Sequence, residues 1–291
     1  MIHPLISVVV PTYQRNDLLR ECLACLAPSV QSLDKKYYEV IVTDDGRQHT
    51  AEQMIKEEFS WVTWVQGPGK GPASNRNNGA KQAQGEWLAF TDDDCLPEHN
   101  WLESYYQAIQ NHPETQAFEG AIHPVGEVEQ DLTDCPVNLK GGCFWSANIC
   151  VRKNLFEEIK GFDESYFLAA QEDQQLKIDV EEKAPIHFLP ETIVKHPVRK
   201  VALWNTIKNV PKRSKNFALY AYKNFAVLGY RNWLNFTYKQ YRFHLSSLYS
   251  NLSKGFYNNA LISLVWLLYG VPLNCSNLLR FQKGGVTLQK Q

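Results

Sequence analysis

The feature that most restricts the fold of this chain is a closely spaced alternation of strand and helix patterns over residues 5–91. Apolar runs predict four strands: Leu5–Val10, Tyr38–Thr43, Trp61–Gln66 and Glu86–Thr91. Helical spacing predicts three helices between them: about Asp17–Leu26, Ala51–Phe59 and Ala73–Gln84. Crossovers of this kind build a mostly parallel central sheet flanked by helices, which is an α/β fold.

The pattern is less regular beyond this point. We expect Asn16 to cap the first helix, and we expect another helix to begin at Glu172. Further strand-like or apolar runs follow before residue 197: Phe118–Pro124, Ala147–Val151, His187–Pro190 and Thr192–His196.

Polar residues follow three of the predicted strands at their carboxyl ends. They are Thr12 with Tyr13, Asp44 with Asp45, and the run Asp92–Asp94. Ligands of α/β sheets bind beyond these strand ends. The coincidence therefore predicts a binding site at this edge of the sheet.

The three adjacent carboxylates of Asp92–Asp94 repel one another unless a cation compensates them. We expect the segment to be extended, and because residues i and i+2 of an extended segment point the same way, Asp92 and Asp94 should converge on one ion. Hard oxygen ligands of this kind favour Mg²⁺ or Mn²⁺. The alternative is a solvated acidic turn, or a helix cap ahead of Pro97.

Charge is distributed unevenly along the chain, although the whole sequence has a net charge of -1. Residues 1–199 hold 17 Lys and Arg and all 31 Asp and Glu, whereas residues 200–291 hold 13 Lys and Arg, no acidic residue and 17 aromatic residues. We therefore expect a catalytic domain over residues 1–199 and a helical, basic and aromatic region over residues 200–291.

Three interpretations of the C-terminal region remain open. Its cations and aromatic residues suit an anionic membrane surface, but they also suit helices packed on the catalytic domain. Nucleic acid is the least favoured partner, because no nucleic-acid motif is present. The most apolar run, Ala260–Val271, would rise about 18 Å as a helix, which is too short for a hydrocarbon core of about 30 Å.

The cysteines and the N-terminus indicate a compartment. There are seven cysteines, and Cys22 and Cys25 sit on one predicted helix without a second pair nearby. This favours buried thiols over a redox or metal site. The chain passes from Met1 into its first strand without an apolar signal segment, so we expect a cytoplasmic protein.

Six short motifs in fixed order resemble those of the family 2 glycosyltransferases. They are Ser7–Arg15 (SVVVPTYQR), Val42–Gly46 (VTDDG), Asn75–Gly79 (NRNNG), Gly85–Pro97 (GEWLAFTDDDCLP), Gly161–Glu164 (GFDE) and Glu172-Asp173. The resemblance covers about residues 5–197. It implies a GT-A fold and transfer of a sugar from a nucleotide-sugar donor of UDP, dTDP or GDP type.

The resemblance also implies a set of binding residues. Those expected to contact the nucleotide-sugar are Pro11, Thr12, Tyr13, Asp44, Asp45, Arg76, Asp92 and Asp93. A guanidinium such as that of Arg76 suits planar recognition of a base or diphosphate. The residues expected to hold Mn²⁺ or Mg²⁺ are Asp92, Asp94 and His196.

The pair Glu172-Asp173 matches the family's catalytic acidic motif. We expect Asp173 to be the base that accepts the acceptor's proton, in an inverting single displacement. The alternative is a pair of carboxylates that stabilise the start of a helix.

Some positions depart from the family pattern. Arg47 stands where a serine is usual, Gln174 follows the acidic pair, and the QxxRW signature of processive relatives is absent. We therefore expect one sugar to be added per acceptor. The expected acceptor is a glycan or lipid-linked precursor at the inner face of the cell membrane.

Two rival functions fit the sequence less well. A nucleotidyltransferase should carry a glycine- and lysine-containing loop after its first strand, and Pro11–Arg15 lacks one. A non-enzymatic membrane-docking protein would not need the carboxylates at positions 44–45, 92–94 and 172–173.

Overall fold

A computed structural model describes residues 4–128, 130–166 and 168–284, and the chain divides into two compact units. The sheet unit comprises residues 1–126 and 135–197, and the helical unit comprises residues 127–134 and 198–291. Residues 127–134, which the charge pattern grouped with the acidic region, thus belong to the helical unit. Residues 1–3, on which the expected absence of a signal segment rests, lie outside the described residues.

The strands of the described residues range from two to twelve residues in length. In chain order they are β1 Ile6–Thr12, β2 Tyr38–Asp44, β3 Val62–Gln66, β4 Trp87–Phe90, β5 Leu96–Pro97, β6 Ala117–Val125, β7 Thr133–Asp134, β8 Ile149–Arg152, β9 Ile186–Pro197 and β10 Arg199–Lys200. Eight of them form the sheet of the sheet unit in the order β3-β2-β1-β4-β8-β6-β9-β5. The first three neighbouring pairs and the β6–β9 pair are parallel, and the others are antiparallel. The predicted α/β fold is confirmed.

The described part of the sheet unit contains a 3₁₀ turn at Lys35–Tyr37 and six α-helices: α1 Asn16–Cys25, α2 Glu52–Glu58, α3 Pro72–Gln82, α4 Trp101–Asn111, α5 Lys153–Glu158 and α6 Glu172–Glu181. All seven residues of β1 are buried, as expected for a strand covered on both faces. Val8 belongs to one apolar core and Val9 to a second. Since successive strand residues point to opposite faces, the sheet separates two cores.

The structure changes three details of the sequence analysis. Asn16 does not cap α1 but is its first residue, and its side-chain amide donates to the Thr50 carbonyl at 3.1 Å. The helix α4 and the strand β5 were not predicted. The runs at His187–Pro190 and Thr192–His196 are one strand, β9, whose pairing register shifts beside Gly120.

The helical unit contains the remaining helices: α7 Leu203–Lys208, α8 Val210–Lys223, α9 Trp233–Ser253, α10 Tyr257–Val265 and α11 Val271–Gly284, with a π-helical turn at Trp266–Gly270. Its small apolar core contains Ala218, Phe236 and Leu278. The carboxylate of Asp131 accepts hydrogen bonds from the backbone of Asn258 and Asn259, which secures the first turn of α10.

The segment Tyr257–Lys283 is one continuous helical stretch of 27 residues. The estimate based on Ala260–Val271 alone was therefore too short. A helix of 27 residues rises about 40 Å, more than the hydrocarbon core requires. Within the described residues it is the one helix whose length and apolar composition would permit it to cross a membrane, a criterion that core helices of soluble proteins also meet.

Candidate active site

The polar residues that follow β1, β2 and β4 lie at one edge of the sheet. Strand β1 is paired in parallel with β2 on one side and β4 on the other, so the three carboxyl ends are neighbours. Thr12 at the end of β1 donates a hydrogen bond of 2.7 Å to Asp93. Pro11 and Thr12 are buried, whereas Tyr13 is 58% exposed at the same edge.

The acidic run Asp92–Asp94 is a turn rather than the extended segment that we predicted. The backbone N–H of Cys95 donates to the Asp92 carbonyl at 3.1 Å and closes the turn. The side chains consequently diverge to different partners. Asp93 and Asp94 are buried, and Asp92 retains a 24% exposed side chain.

Arg15 compensates two carboxylates of this turn. Its guanidinium donates to Asp93 through Nε at 3.1 Å and to Asp94 through Nη1 at 3.1 Å, and Nη2 also pairs with Asp93. Burial nevertheless raises the pKa of Asp93 to about 7, despite the opposing effect of Arg15 and Thr12. Arg15 is not among the site residues predicted from the sequence, although it lies only three residues beyond the end of β1.

Arg76 joins the acidic turn to the start of α6. It lies on α3 and is buried, donating to Asp92 at 2.7 Å and to Glu172 at 3.3 Å. Burial alone would lower the pKa of Arg76, but Asp92, Asp173 and Glu172 together raise it. Arg76 therefore remains a fixed cation among three carboxylates.

The two acidic residues at the start of α6 differ in burial and in partners. Glu172 is 2% exposed, whereas Asp173 is only partly buried. Burial and the neighbouring Asp173 raise the pKa of Glu172 to about 8, against the effect of Arg76. Burial also raises the pKa of Asp173, which Arg76 and Ser146 partly offset.

A loop beside Asp173 is held by a buried carboxylate that sequence analysis missed. Glu119 on β6 accepts hydrogen bonds from the backbone N–H groups of Gly142, of Cys143 at 3.2 Å and of Phe144 at 2.8 Å. From α6, the Gln174 amide donates to the Cys143 carbonyl at 3.3 Å. The loop is thus fixed on both sides next to the catalytic candidate.

Asp44 and Asp45 shape the loops around the site. Asp44 is fully buried and accepts from the N–H groups of Gly46 at 2.7 Å and Ala51 at 2.6 Å. Asp45 accepts from Gly69 at 2.7 Å, in the loop that leads into α3. Asp45 is buried as well, although at 7% exposure it lies nearer the surface than Asp44.

One group of side chains in the described part of the chain has the composition of a metal site. Ligand atoms of Asp94, Cys95 and His196, all buried, lie within 4.8 Å of one another. The His196 Nε2 atom is 3.4 Å from Asp94 Oδ1. Asp94 and His196 were both predicted to hold a metal; Cys95 was not, and Asp92 lies outside this group.

Comparisons with known proteins place this geometry in a family. The family model described as "Glycosyl transferase family 2" matches residues 7–162. The glycosyltransferase AglE of Haloferax volcanii is 26% identical over 67% of this chain and 68% of its own length. The validoxylamine A glucosyltransferase of Streptomyces hygroscopicus subsp. jinggangensis is 27% identical over 65% of this chain, which matches about half of that relative's length (53%).

Solved structures agree at the level of the fold. The S. aureus TarS fragment 1–349, solved in complex with UDP-GlcNAc, superposes with a TM-score of 0.56 at 19% identity, over 96% of this chain and 92% of the other. This confirms the predicted GT-A architecture. Because the family model covers more than half of the sequence, the chain belongs to glycosyl transferase family 2.

Proposed function

We propose that this glycosyltransferase moves one sugar from a nucleotide-sugar to a hydroxyl acceptor by a metal-dependent, inverting displacement. The observation that carries the proposal is the buried network in which Arg76 joins Asp92 of the acidic turn to Glu172. Through the guanidinium of Arg76, the carboxylates that we propose to bind the donor are connected to those that we propose to act on the acceptor. Breaking the bond between sugar and phosphate leaves a diphosphate, and fixed cations stabilise that charge.

Asp173 is the better choice of base within the acidic pair. A base needs an oxygen that is free to accept the proton; Glu172 is engaged by Arg76, whereas Oδ1 of Asp173 has no hydrogen-bond partner among the described residues. A raised pKa also makes Asp173 a stronger base than an ordinary carboxylate. We assign to Glu172 the positioning of Arg76.

The donor would lie over the carboxyl ends of β1, β2 and β4. Tyr13 offers an exposed aromatic ring at this edge, and the side chain of Asp92 is partly exposed. The remaining members of the predicted binding set are buried and shape the site: Pro11, Thr12, Asp44, Asp45, Arg76 and Asp93. A UDP-containing structure of TarS supports a donor of UDP type.

The donor set of Asp94 and His196, with Asp92 nearby along the turn, fits Mn²⁺ or Mg²⁺ by its chemistry. When bound, such an ion would supply Lewis-acid stabilisation of the departing diphosphate. The protein holds these ligands between Arg15 and Arg76, whose positive charges offset the negative charge of the acidic turn.

A lipid-linked or polysaccharide acceptor is supported by a relative and by the helical unit. The Campylobacter jejuni protein named GalNAc(5)-diNAcBac-PP-undecaprenol beta-1,3-glucosyltransferase is 35% identical over 31% of this chain. The helical unit has large apolar side chains that are more than half exposed: Trp204, Trp233, Tyr238, Phe243, Tyr249, Tyr257 and Leu268. With the basic residues of 200–291, they suit an anionic membrane at the cytoplasmic face.

A thermal-shift screen with UDP, GDP, dTDP and CDP sugars, with and without Mn²⁺, tests the donor and metal proposals together. A native-state ligand raises the melting temperature, so one sugar nucleotide should do so in a Mn²⁺-dependent way. Asp94→Asn should lose both the Mn²⁺-dependent shift and sugar transfer, whereas Asp134→Asn, in the helical unit, should keep them. Unchanged transfer by Asp94→Asn would refute the metal proposal.

Vesicle flotation tests the membrane proposal on the full chain. The charge of two exposed residues of the helical unit is reversed in the variant Arg213→Glu with Arg242→Glu. This variant should bind more weakly to vesicles that contain anionic lipid. The matched control reverses two exposed cations of the sheet unit, Lys56→Glu with Lys81→Glu. Equal loss in both variants, or no binding by the native chain, would refute a specific docking surface.

A further inference from the structure

The short strand β5 brings a cysteine opposite the predicted metal-binding histidine. Leu96 pairs with Lys195 and Pro97 with Val194 in antiparallel register. Continued by one residue, the register sets Cys95 opposite His196. Directly opposed residues of an antiparallel pair project to the same face, with Cβ atoms about 4.5–5.5 Å apart. The backbone therefore brings the thiol and the imidazole together, whatever rotamers the two side chains adopt.

The neighbouring residue completes a set of three different ligand types. Asp94 precedes Cys95 in the closed turn, and the ligand atoms of Asp94, Cys95 and His196 lie within 4.8 Å of one another. All three residues are buried. A carboxylate, an imidazole and a thiolate together favour borderline and soft cations such as Zn²⁺ and Co²⁺ more than an all-oxygen site does.

The orientation of His196 provides a second observation. Its Nδ1 atom lies 2.9 Å from the Pro197 carbonyl oxygen, which can only accept a hydrogen bond, so Nδ1 carries the hydrogen. The other nitrogen, Nε2, is then directed towards Asp94 Oδ1 at 3.4 Å. Histidines that bind metals usually donate their second ring N–H to a carbonyl or carboxylate in this way.

We propose that Cys95 is a ligand of the metal centre, with Asp94 and His196, and that this centre binds thiophilic divalent cations such as Co²⁺ and Zn²⁺ as well as Mn²⁺. The proposal rests on the metal dependence proposed above. On coordination the thiol proton passes to solvent and the sulfur binds as thiolate. The buried thiol thereby becomes a determinant of which ion occupies the donor site.

Titration of the purified, metal-free chain with Co²⁺ alone tests the proposal without relying on activity. A thiolate-to-cobalt charge-transfer band should appear in the near ultraviolet, and calorimetry should give the affinity and the number of ions bound. Cys95→Ser should lose the band and bind Co²⁺ at least about tenfold more weakly, because even an indirect change at a metal site typically has that effect. His196→Gln should lose the band as well.

Cys22→Ser is the matched control, because the Cys22 thiol is buried beneath the same turn and donates to the Asp92 carbonyl at 3.5 Å. It should retain the band. Circular dichroism checks that each variant folds, and Cys95→Ala serves as a second substitution if the serine variant does not.

The outcomes separate this inference from the proposed function. Co²⁺ binding without the band, or a band that survives Cys95→Ser, would overturn the role of Cys95 and leave Mn²⁺-dependent transfer intact. Absence of any divalent-ion binding, with transfer that continues in a chelator, would overturn both.

Discussion

The guanidinium of Arg76 donates to the carboxyl group of Glu172 at 3.3 Å, with the two side chains 6% and 3% exposed, although the residues come from distant parts of the chain. The same guanidinium also holds Asp92 at 2.7 Å. Asp92 belongs to the turn proposed to receive the donor, and Glu172 adjoins the proposed base. A movement of the turn on donor binding would therefore displace Arg76 and, through it, Glu172 beside the proposed base.

Removing the guanidinium of Arg76 should lower both the free energy of unfolding and the rate of sugar transfer. Arg76→Ala leaves Asp92 and Glu172 without their partner, and a broken buried pair typically lowers the free energy of unfolding by about 3–5 kcal/mol. Urea unfolding measures the loss. Arg152→Ala, which removes a solvent-exposed pair with Glu86, is the control and should change it by no more than about 1 kcal/mol. Equal effects of the two substitutions would contradict the importance of the buried network.

Substitutions of the two carboxylates at the start of α6 should have different effects on kcat. Asp173→Asn should keep the affinity for the donor and lower kcat about 10²–10⁴-fold, because the hydroxyl acceptor loses its base. Glu172→Gln keeps a similar shape beside Arg76 and should have the smaller effect on kcat. Donor affinity is measured by calorimetry and kcat with saturating substrates. A larger loss of kcat in Glu172→Gln than in Asp173→Asn would reverse the assignment.

The raised pKa values of the acidic pair predict how the protein responds to pH. Glu172 has a pKa of about 8 when folded and an ordinary value of 4.5, so the folded state keeps a proton that the unfolded state releases. Its contribution to stability is fully present below pH 4.5 and is lost as the pH rises through 8. Over the same window kcat should rise as the pair gives up its protons, with apparent values that belong to both residues.

Glu172→Gln provides the test of this pH dependence. It should flatten the decline of the urea midpoint between pH 4.5 and 8, because the group that keeps a proton only in the folded state is then absent. Identical profiles for the variant and the native chain would assign the pH dependence to other groups.

The positive charge of Arg15 should balance part of the negative charge of the acidic turn. Arg15→Gln leaves Asp93 and Asp94 with less compensation, so it should lower the melting temperature without metal. Added Mn²⁺ should then raise the melting temperature more than in the native chain, because the ion replaces the lost cation. Arg20→Gln, which removes an exposed pair with Glu58, should show the native response to Mn²⁺. An unchanged Mn²⁺ response in Arg15→Gln would show that Arg15 and the ion do not share these carboxylates.

The sequence predicted the half of the sheet that strong local patterns define. The strands β1 to β3 are rich in β-branched residues and β4 is a short apolar run, so their ends, and the carboxylates on them, could be placed at one edge. The start of α6 was also predicted, because Glu172 and Asp173 stand at the beginning of a polar helix. In these regions local propensity and the final fold agree.

Other parts depended on contacts that no local pattern records. The strand β5 has two residues, one of them proline, so nothing in the sequence announced that it pairs with β9. The extended geometry expected for Asp92–Asp94 was wrong because a backbone hydrogen bond closes a turn there. The helix α4 is different: Trp101, Leu102, Tyr105 and Ile109 have helical spacing and are buried, so it could have been recognised.

The grouping of residues 127–134 with the helical unit has a consequence for experiments on isolated parts of the chain. A stop codon after Pro197 would delete β10 and orphan β7, whose Thr133 and Asp134 pair with Lys200 and Arg199. The unpaired backbone groups of β7 would then be open to pairing with another chain, which promotes aggregation. A loss of membrane binding in such a fragment could not be assigned to the missing helices alone. Clean excision requires two cuts, with Gly126 joined to Cys135 as well as termination after Pro197.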